Sequence, residues 1–140
     1  MGRSPAQQVD DAQLEVERRQ IHRRALRIRA DAAAGNDDEV EAQLAFLARY
    51  LGRHFEAEER WMEEQGYPGS LEHARAHAAL HARLGDARRA VHLVGSAARV
   101  LKEVIAELED HLAGDDQKLV RFHAARESLR RLAAGAVATG

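Results

Sequence analysis

The stretch "VEAQLAFLARYLGRHFEAEERW", residues 40–61, decides how this chain folds. Its bulky apolar residues follow one another at alternating steps of four and three, the spacing of one face of a helix in a bundle. At residues 54 and 58 the same face carries polar side chains. The positions on this face are Val40, Leu44, Leu47, Leu51, His54, Glu58 and Trp61.

Similar faces run along three other segments, and Gly, Asn, Asp, Ser or Pro residues mark the breaks between them. We predict helices over residues 8–34, 38–65, 70–94 and 97–112, a shorter helix over 116–133, and a disordered tail over 134–140. Because the connections are short, the predicted fold class is all-α, an antiparallel up-down-up-down four-helix bundle with a short C-terminal helix. The facing positions are Leu14, Ile21, Ala25, Ile28 and Ala32 in the first segment, His73, His77, Leu80, Leu84, Ala87, Val91 and Val94 in the third, and Ala97, Leu101, Val104, Leu108 and His111 in the fourth.

The composition restricts the class of protein. A chain of 140 residues suits one domain, here 1–140 with a core over about 8–133. The formal net charge is −2 and cysteine is absent, so we expect neither nucleic acid nor an anionic membrane as partner, and no disulfides or thiolate ligands. No apolar run approaches the roughly 20 residues of a membrane span, and the polar N-terminus does not resemble a signal peptide. We expect a soluble, cytoplasmic protein and take it to be a monomer.

Polar residues stand on the helix faces at positions where the periodicity predicts leucine. A buried charge or unpaired imidazole costs several kcal/mol unless something compensates it. The polar positions lie near the turn between the second and third segments and at the end of the fourth. They are His54, Glu58, His73, His77 and His111.

A single histidine on such a face is more often a hydrogen-bonded core residue than a metal ligand. His81 and His92 lie off the faces, and His123 lies past the bundle helices, so none of the three is a candidate ligand. However, a His-x3-Glu pair and a His-x3-His pair, each in register with its own apolar face, indicate a metal site. His22, beside Ile21 on the edge of the first face, is placed opposite them.

Imidazoles and carboxylates suit iron, zinc, copper or manganese rather than calcium or magnesium. A single tetrahedral zinc needs four groups at most, whereas at least six converge here, which is enough for two ions. No histidine has a glutamate three residues before it, as the ferritin-like dimetal bundles require. The His-Glu-x-x-His motif of zinc proteases is also missing.

Taken together, these residues resemble the hemerythrin family, especially the bacterial hemerythrins. The family pattern is a His on the first helix, His-x3-Glu on the second, His-x3-His on the third, and His-x4-Asp at the end of the fourth. The resemblance covers about residues 15–122 and includes "HFEAEERWMEEQGYP". The matching residues are His22, His54, Glu58, His73, His77, His111 and Asp116.

The resemblance implies a cofactor of two iron ions held by these seven residues. It assigns one iron to His73, His77 and His111, the other to His22 and His54, and the bridges to Glu58, Asp116 and an oxo or hydroxo group. One position on the second iron would then stay open for dioxygen. The implied function is reversible oxygen binding for carriage, storage or delivery, without enzymatic turnover.

The last motif of the pattern needs a break in the helix. Five residues along a helix turn through about 500°, so His111 and Asp116 share a face only if the chain turns at Gly114. Asp115 is a competing ligand, although the family spacing favours Asp116. The chain also departs from the family, because Arg19 stands where an Asp commonly precedes the first His by three residues.

Two other functions remain open on the sequence alone. A di-iron peroxidase or nitric-oxide-handling enzyme would use the same ligands, and Tyr67 or an acid near the open position would favour it. An oxygen or redox sensor module is the third interpretation. A dry pocket favours oxygen carriage, and we expect Leu108, one turn before His111, to line it, with Phe55 and Ile21 as weaker candidates.

Overall fold

The computed structural model describes residues 11–91, 93 and 97–139, and it contains helices and no strands within those ranges. The first three helices are α1 (Asp11–Ala33), α2 (Asp37–Gln65) and α3 (Ser70–Ala90). They are followed by α4 (Ala97–Ala113) and α5 (Asp115–Thr139). The all-helical fold class is therefore confirmed for the described part of the chain. None of these helices is long and apolar enough to cross a membrane.

Glycines in the left-handed conformation form the first two turns. Gly35, between α1 and α2, has a φ of 80°. Gly66 ends α2 with a φ of 66°, and the backbone N–H groups of Gly66 and Tyr67 donate to the carbonyl oxygens of Glu63 and Met62. A side chain would be strained in this conformation, so glycine suits both turns.

The first four helices surround a common core. α1 packs against α2 and α4, and α3 packs against the same two neighbours, while α5 packs against α4. Each predicted face points inward, and the large apolar cluster is built mainly from these faces. Its members are Ile21, Ala25, Ile28, Val40, Leu44, Leu47, Leu51, Phe55, Leu80, Leu84, Ala87, Leu101, Val104, Ile105 and Leu108.

A second, smaller apolar cluster is formed by α1, α2 and α5. It consists of Leu14 from α1, Trp61 and Met62 from α2, and Leu119 from α5. Between the two clusters, α1 and α2 turn polar residues toward the core. These buried residues are Arg18, His54 and Glu58. The core thus has a polar layer between two apolar ones.

The C-terminal region differs from the prediction. The helix predicted as short, over 116–133, begins one residue earlier and continues to Thr139, so residues 134–139 are helical and not a disordered tail. Alanine has the highest helix propensity, and four of the seven residues in "AAGAVAT" are alanine. The side chains of residues 128–136 are all exposed, so this end of α5 gains nothing from burial.

The third helix is shorter than predicted. α3 ends at Ala90 and Val91 lies in a turn, whereas the apolar face suggested a helix to residue 94. Val94, the last position of that face, lies outside the described residues, as do the first three residues of the predicted segment 8–34.

Candidate metal centre

Five ligand-type side chains from four helices meet in the polar layer. One ligand atom from each lies within 4.8 Å of the others, and all five residues are buried. α2 contributes Glu58, α3 contributes His73 and His77, α4 contributes His111, and α5 contributes Asp116. We call this set the five-residue cluster.

The α4–α5 junction brings the last two members together. Gly114 lies between the two helices, and its N–H donates to the Asp110 carbonyl oxygen at 2.8 Å. A Cβ at Gly114 would lie only 3.0 Å from that oxygen. Because the helix is interrupted at Gly114, His111 Nε2 lies only 3.2 Å from Asp116 Oδ1. This agrees with the expectation that these two residues share a face only if the chain turns at Gly114. Asp115 is instead partly exposed and lies outside the cluster.

The two carboxylates use one oxygen each toward the three histidines. Glu58 Oε1 lies 2.6 Å from His73 Nε2 and 3.1 Å from His77 Nε2. Asp116 Oδ1 lies 3.1 Å from His73 Nε2 and 3.2 Å from His111 Nε2. Three imidazole nitrogens and two carboxylate oxygens therefore point at one small volume.

Protons compensate the buried carboxylates when no metal is present. Burial alone would raise the pKa of Glu58, but the nearby imidazoles of His54, His73 and His77 hold that pKa well below its ordinary value. Burial would lower the pKa of His73, whereas Asp116 and Glu58 raise it to about 9. The pKa of His111 is raised by Asp116 against the same opposing effect of burial. These carboxylates thus attract positive charge strongly.

Three of the histidines have an acidic partner on the ring nitrogen that faces away from the centre. His54 Nδ1 lies 2.9 Å from Glu17 Oε1, His77 Nδ1 lies 3.1 Å from Glu59 Oε2, and His111 Nδ1 lies 3.0 Å from Asp115 Oδ2. Such partners hold the proton on Nδ1 and leave Nε2 free to bind a metal. We call Glu17, Glu59 and Asp115 the outer carboxylates.

Several inward atoms have no hydrogen-bond partner. His54 Nε2, His111 Nε2 and Asp116 Oδ1 are buried and unsatisfied, although each has an oppositely charged or ligand-type atom within about 3.2 Å. Buried polar atoms in proteins are nearly always paired. These atoms converge without hydrogen-bond geometry, so the arrangement suits coordination of one shared cation better than hydrogen bonding among the side chains.

The three residues expected to line an oxygen pocket are buried in the large apolar cluster. The ring of Phe55 stacks on His77, with centroids 3.9 Å apart and planes 9° apart, and its edge faces His111. Leu108 and Ile21 are 3% and 0% exposed. Apolar side chains therefore adjoin the cluster on the side of the large core.

His22 does not reach the cluster. Its side chain is 46% exposed, and its Nε2 lies 3.4 Å from Glu109 Oε2. The other oxygen of Glu109, Oε1, accepts a hydrogen bond from Arg29. His22 therefore does not face the other histidines in this structure, and its role as a metal ligand stays a prediction. The buried positions of α1 are Leu14, Arg18, Ile21, Ala25 and Ile28, and His22 is rotated by one residue, about 100°, from Ile21.

Arg18 takes the place on α1 that was assigned to His22. It is only 8% exposed, and its Nε and Nη2 donate to Glu58 Oε2 at 3.1 and 3.0 Å. Its Nε is 3.6 Å from Asp116 Oδ2. The sequence carried a signal for this residue, since the face of α1 omitted one position between Leu14 and Ile21, and position 18 restores steps of four and three.

Two cavities adjoin the polar layer. A cavity of about 520 Å³ between α1, α4 and the start of α5 is lined by Arg18, His22 and Glu109 among others. A smaller one of about 120 Å³ is lined by His73, Tyr67, Glu72 and Asp115 among others. The polar layer is thus close to solvent on two sides.

A helical bundle with a buried layer of three histidines and two carboxylates defines a class of non-heme metal protein. The sequence model of the hemerythrin family, described as "Hemerythrin HHE cation binding domain", matches residues 12–122. The chain belongs to this family, which confirms the resemblance. No curated protein and no solved structure was found to match the chain.

Proposed function

We propose that this chain binds iron through the five-residue cluster and takes up dioxygen there. The observation that carries the proposal is the convergence of five buried ligand atoms within 4.8 Å of one another. Imidazole and carboxylate donors suit iron, and the unsatisfied His111 Nε2 and Asp116 Oδ1 support a shared cation. Membership of a cation-binding family supports the same conclusion.

The proposed ligands of one iron are His73, His77, His111, Glu58 and Asp116. Five single donors leave one of six octahedral positions for a small molecule. When bound, iron would supply that position and the electrons on which dioxygen binding depends. The outer carboxylates on His77 and His111 orient these two imidazoles by accepting their Nδ1 protons.

Apolar side chains support reversible binding over turnover. We propose that Leu108, Phe55 and Ile21 exclude water and proton donors from the bound oxygen, since all three are buried in the large apolar cluster. The stacking of Phe55 on His77 places its ring against a proposed ligand. Conversely, Tyr67, Glu72 and Asp115 on the small cavity beside His73 are the groups that an enzymatic alternative would use.

Two irons, with His54 and His22 on the second and with Glu58 and Asp116 as bridges, form the competing proposal. It needs His22 to leave Glu109 and turn inward, and it needs Arg18 to leave Glu58. His54 favours it in part, because its Nε2 is buried, unpaired and 3.2 Å from Glu58 Oε2.

We further propose that the five helices form a single domain with antiparallel neighbours. Contacts across α1 and α2 support this, because Gln43 near the start of α2 reaches Asp31 near the end of α1, whereas Glu58 reaches Arg18. α3 and α4 follow the same rule, since Arg83 pairs with Glu107 and the His73 ring faces His111.

The test is metal analysis together with a visible spectrum of the protein loaded with ferrous iron, before and after exposure to air. We expect bound iron and an absorption band that appears in air and disappears when oxygen is removed. His77→Ala should abolish both. His81→Ala is the matched control, since His81 lies one turn further along α3 and is exposed. Bound zinc with no affinity for iron would contradict the proposal, and steady consumption of peroxide would support the enzyme.

A further inference from the structure

Arg18 is a buried cation on the helix face where the apolar pattern leads to the polar layer. It lies between Leu14 of the small apolar cluster and Ile21 of the large one. A buried arginine is stable only when carboxylates pair with it. Its partners are Glu58 and Asp116, the two carboxylates of the five-residue cluster.

Each of these carboxylates divides its two oxygens between two sides. Glu58 Oε1 and Asp116 Oδ1 face the three clustered histidines at 2.6 to 3.2 Å. Glu58 Oε2 and Asp116 Oδ2 face Arg18 at 3.0 and 3.6 Å. A carboxylate that bridges two metal ions divides its oxygens in the same manner, so the guanidinium stands where a second ion would stand.

The other groups near Arg18 do not complete a second metal position. His54 Nε2 lies 3.2 Å from Glu58 Oε2 and is the one imidazole on this side among the described residues. His22 faces Glu109 and the large cavity. With Arg18 in place, a second ion would therefore find one imidazole and two oxygens already shared with a cation.

Electrostatics makes the guanidinium and a second ion mutually exclusive. Arginine stays charged at any ordinary pH, so it cannot lose its proton to admit a metal as histidine or lysine can. One divalent ion plus Arg18, set against two carboxylates, leaves an excess of one positive charge. A second divalent ion would raise that excess to three in a buried layer, where like charges repel strongly.

We propose that this member of the family holds one metal ion and that the Arg18 guanidinium replaces the second. The inference rests on the proposed metal binding by the five-residue cluster and adds the number of ions and the reason for it. Arg18 is a positioning residue here, since it fixes both carboxylates through their outer oxygens without touching the metal.

The experiment is a titration of the metal-free, full-length protein with Co²⁺, followed by desalting and elemental analysis. The unaltered chain should retain one Co²⁺. Arg18→His should retain two, a doubling, because an imidazole joins His54 and the freed carboxylate oxygens. Arg19→His is the matched control, since the neighbouring Arg19 is exposed, and should retain one.

The outcomes separate the two proposals. Two Co²⁺ in the unaltered chain, or one in a folded Arg18→His variant, overturns the role of Arg18 while metal binding stands. No Co²⁺ in the unaltered chain overturns both. If Arg18→His does not fold, Arg18→Gln serves instead, because it removes the charge but keeps an amide donor, and more than one Co²⁺ is expected. Electron paramagnetic resonance of the ferric protein adds a second readout, since a single ion gives an uncoupled signal and two bridged ions suppress it.

Discussion

The large apolar cluster and the polar layer beside it are built on the same helix faces but are held together differently. In the apolar cluster, residues such as Leu47 and Leu84 gain stability from leaving water, and any close-packed apolar neighbour satisfies them. In the polar layer, His73, Glu58 and Asp116 are stable only when their charges are matched. The stability of the apolar cluster depends on burial and close packing, whereas that of the polar layer depends on bound protons or metal.

The largest difference between the two regions should appear when one charged partner is removed. Glu58→Gln removes the charge that pairs with Arg18 and with three histidines. We expect loss of metal and a decrease of about 3–5 kcal/mol in the free energy of unfolding, the usual cost of breaking a buried ion pair. Leu47→Ala, in the apolar cluster, should lose about 2–5 kcal/mol and keep its metal. Denaturant unfolding and metal analysis measure both, and metal retained by Glu58→Gln would contradict the ligand assignment.

Polar substitutions at two positions of the large apolar cluster, one near the polar layer and one further from it, should separate protection of the proposed oxygen site from stability. Leu108→Asn and Leu101→Asn alter the same helix at two buried positions, and only Leu108 lies one turn before His111. Both variants should unfold more easily. Leu108→Asn should keep its iron, but it alone should shorten the lifetime of the absorption band that oxygen induces, by about tenfold for each 1.4 kcal/mol by which the barrier to decay falls. The decay of that band in air measures the effect, and equal decay in both variants would remove Leu108 from the proposed pocket.

Removing the metal should loosen the polar layer and leave the apolar cluster almost unchanged. A ligand present at a hundred times its dissociation constant adds about 2.7 kcal/mol to the stability of the folded state. We therefore expect faster amide hydrogen exchange around residues 54–58 and 73–77 in the metal-free protein, with little change around residues 40–47. Uniform changes along the chain, or none, would show that the metal is not part of the core.

The smallest effect concerns the pH dependence of the metal-free protein. Burial opposes the charge on His73, but Asp116 and Glu58 raise its pKa to about 9, above the value of about 6.5 in an unfolded chain. A raised pKa in the folded state contributes stability that is complete below about 6.5 and is lost as the pH rises through about 9. The melting temperature should therefore fall by a few degrees between pH 6.5 and 9.5. His73→Gln should reduce this dependence, and an equal fall in that variant would assign it to other groups.

The sequence predicted the helices and most of the layer because both follow from periodicity. The faces of α2 and α4 are buried as predicted, up to His54, Glu58 and His111. Helix spacing left both Asp115 and Asp116 open, and only the resemblance to the family favoured Asp116, which is the one that faces inward. The contribution of α1 differs from the expected arrangement, because Arg18 contacts Glu58 while His22 lies beside Glu109. Apolar periodicity does not predict a buried arginine, so the sequence indicated His22 and not Arg18.

The length of the helices was less predictable than their faces. α3 stops at Ala90, although the apolar spacing continues, and α5 extends beyond the bundle without burial. Helix ends depend on local capping and on the helix propensity of residues that pack against nothing, both of which are weaker signals than a buried face. The alanines at the end of α5 favour the helix there although their side chains are exposed.

The outer carboxylates would set the reduction potential of the iron that we propose for this centre. A carboxylate that accepts the Nδ1 proton makes the imidazole a stronger donor, which stabilises ferric over ferrous iron. Glu59 and Asp115 lie at the surface, with side chains 40% and 41% exposed, so each can be changed without disturbing the core. Glu59→Gln should raise the potential in a spectroelectrochemical titration, whereas Glu56→Gln, exposed on the same helix, should leave it unchanged. If iron and oxygen bind as proposed, the affinity for oxygen would thereby be adjustable from the surface through His77 and His111 separately.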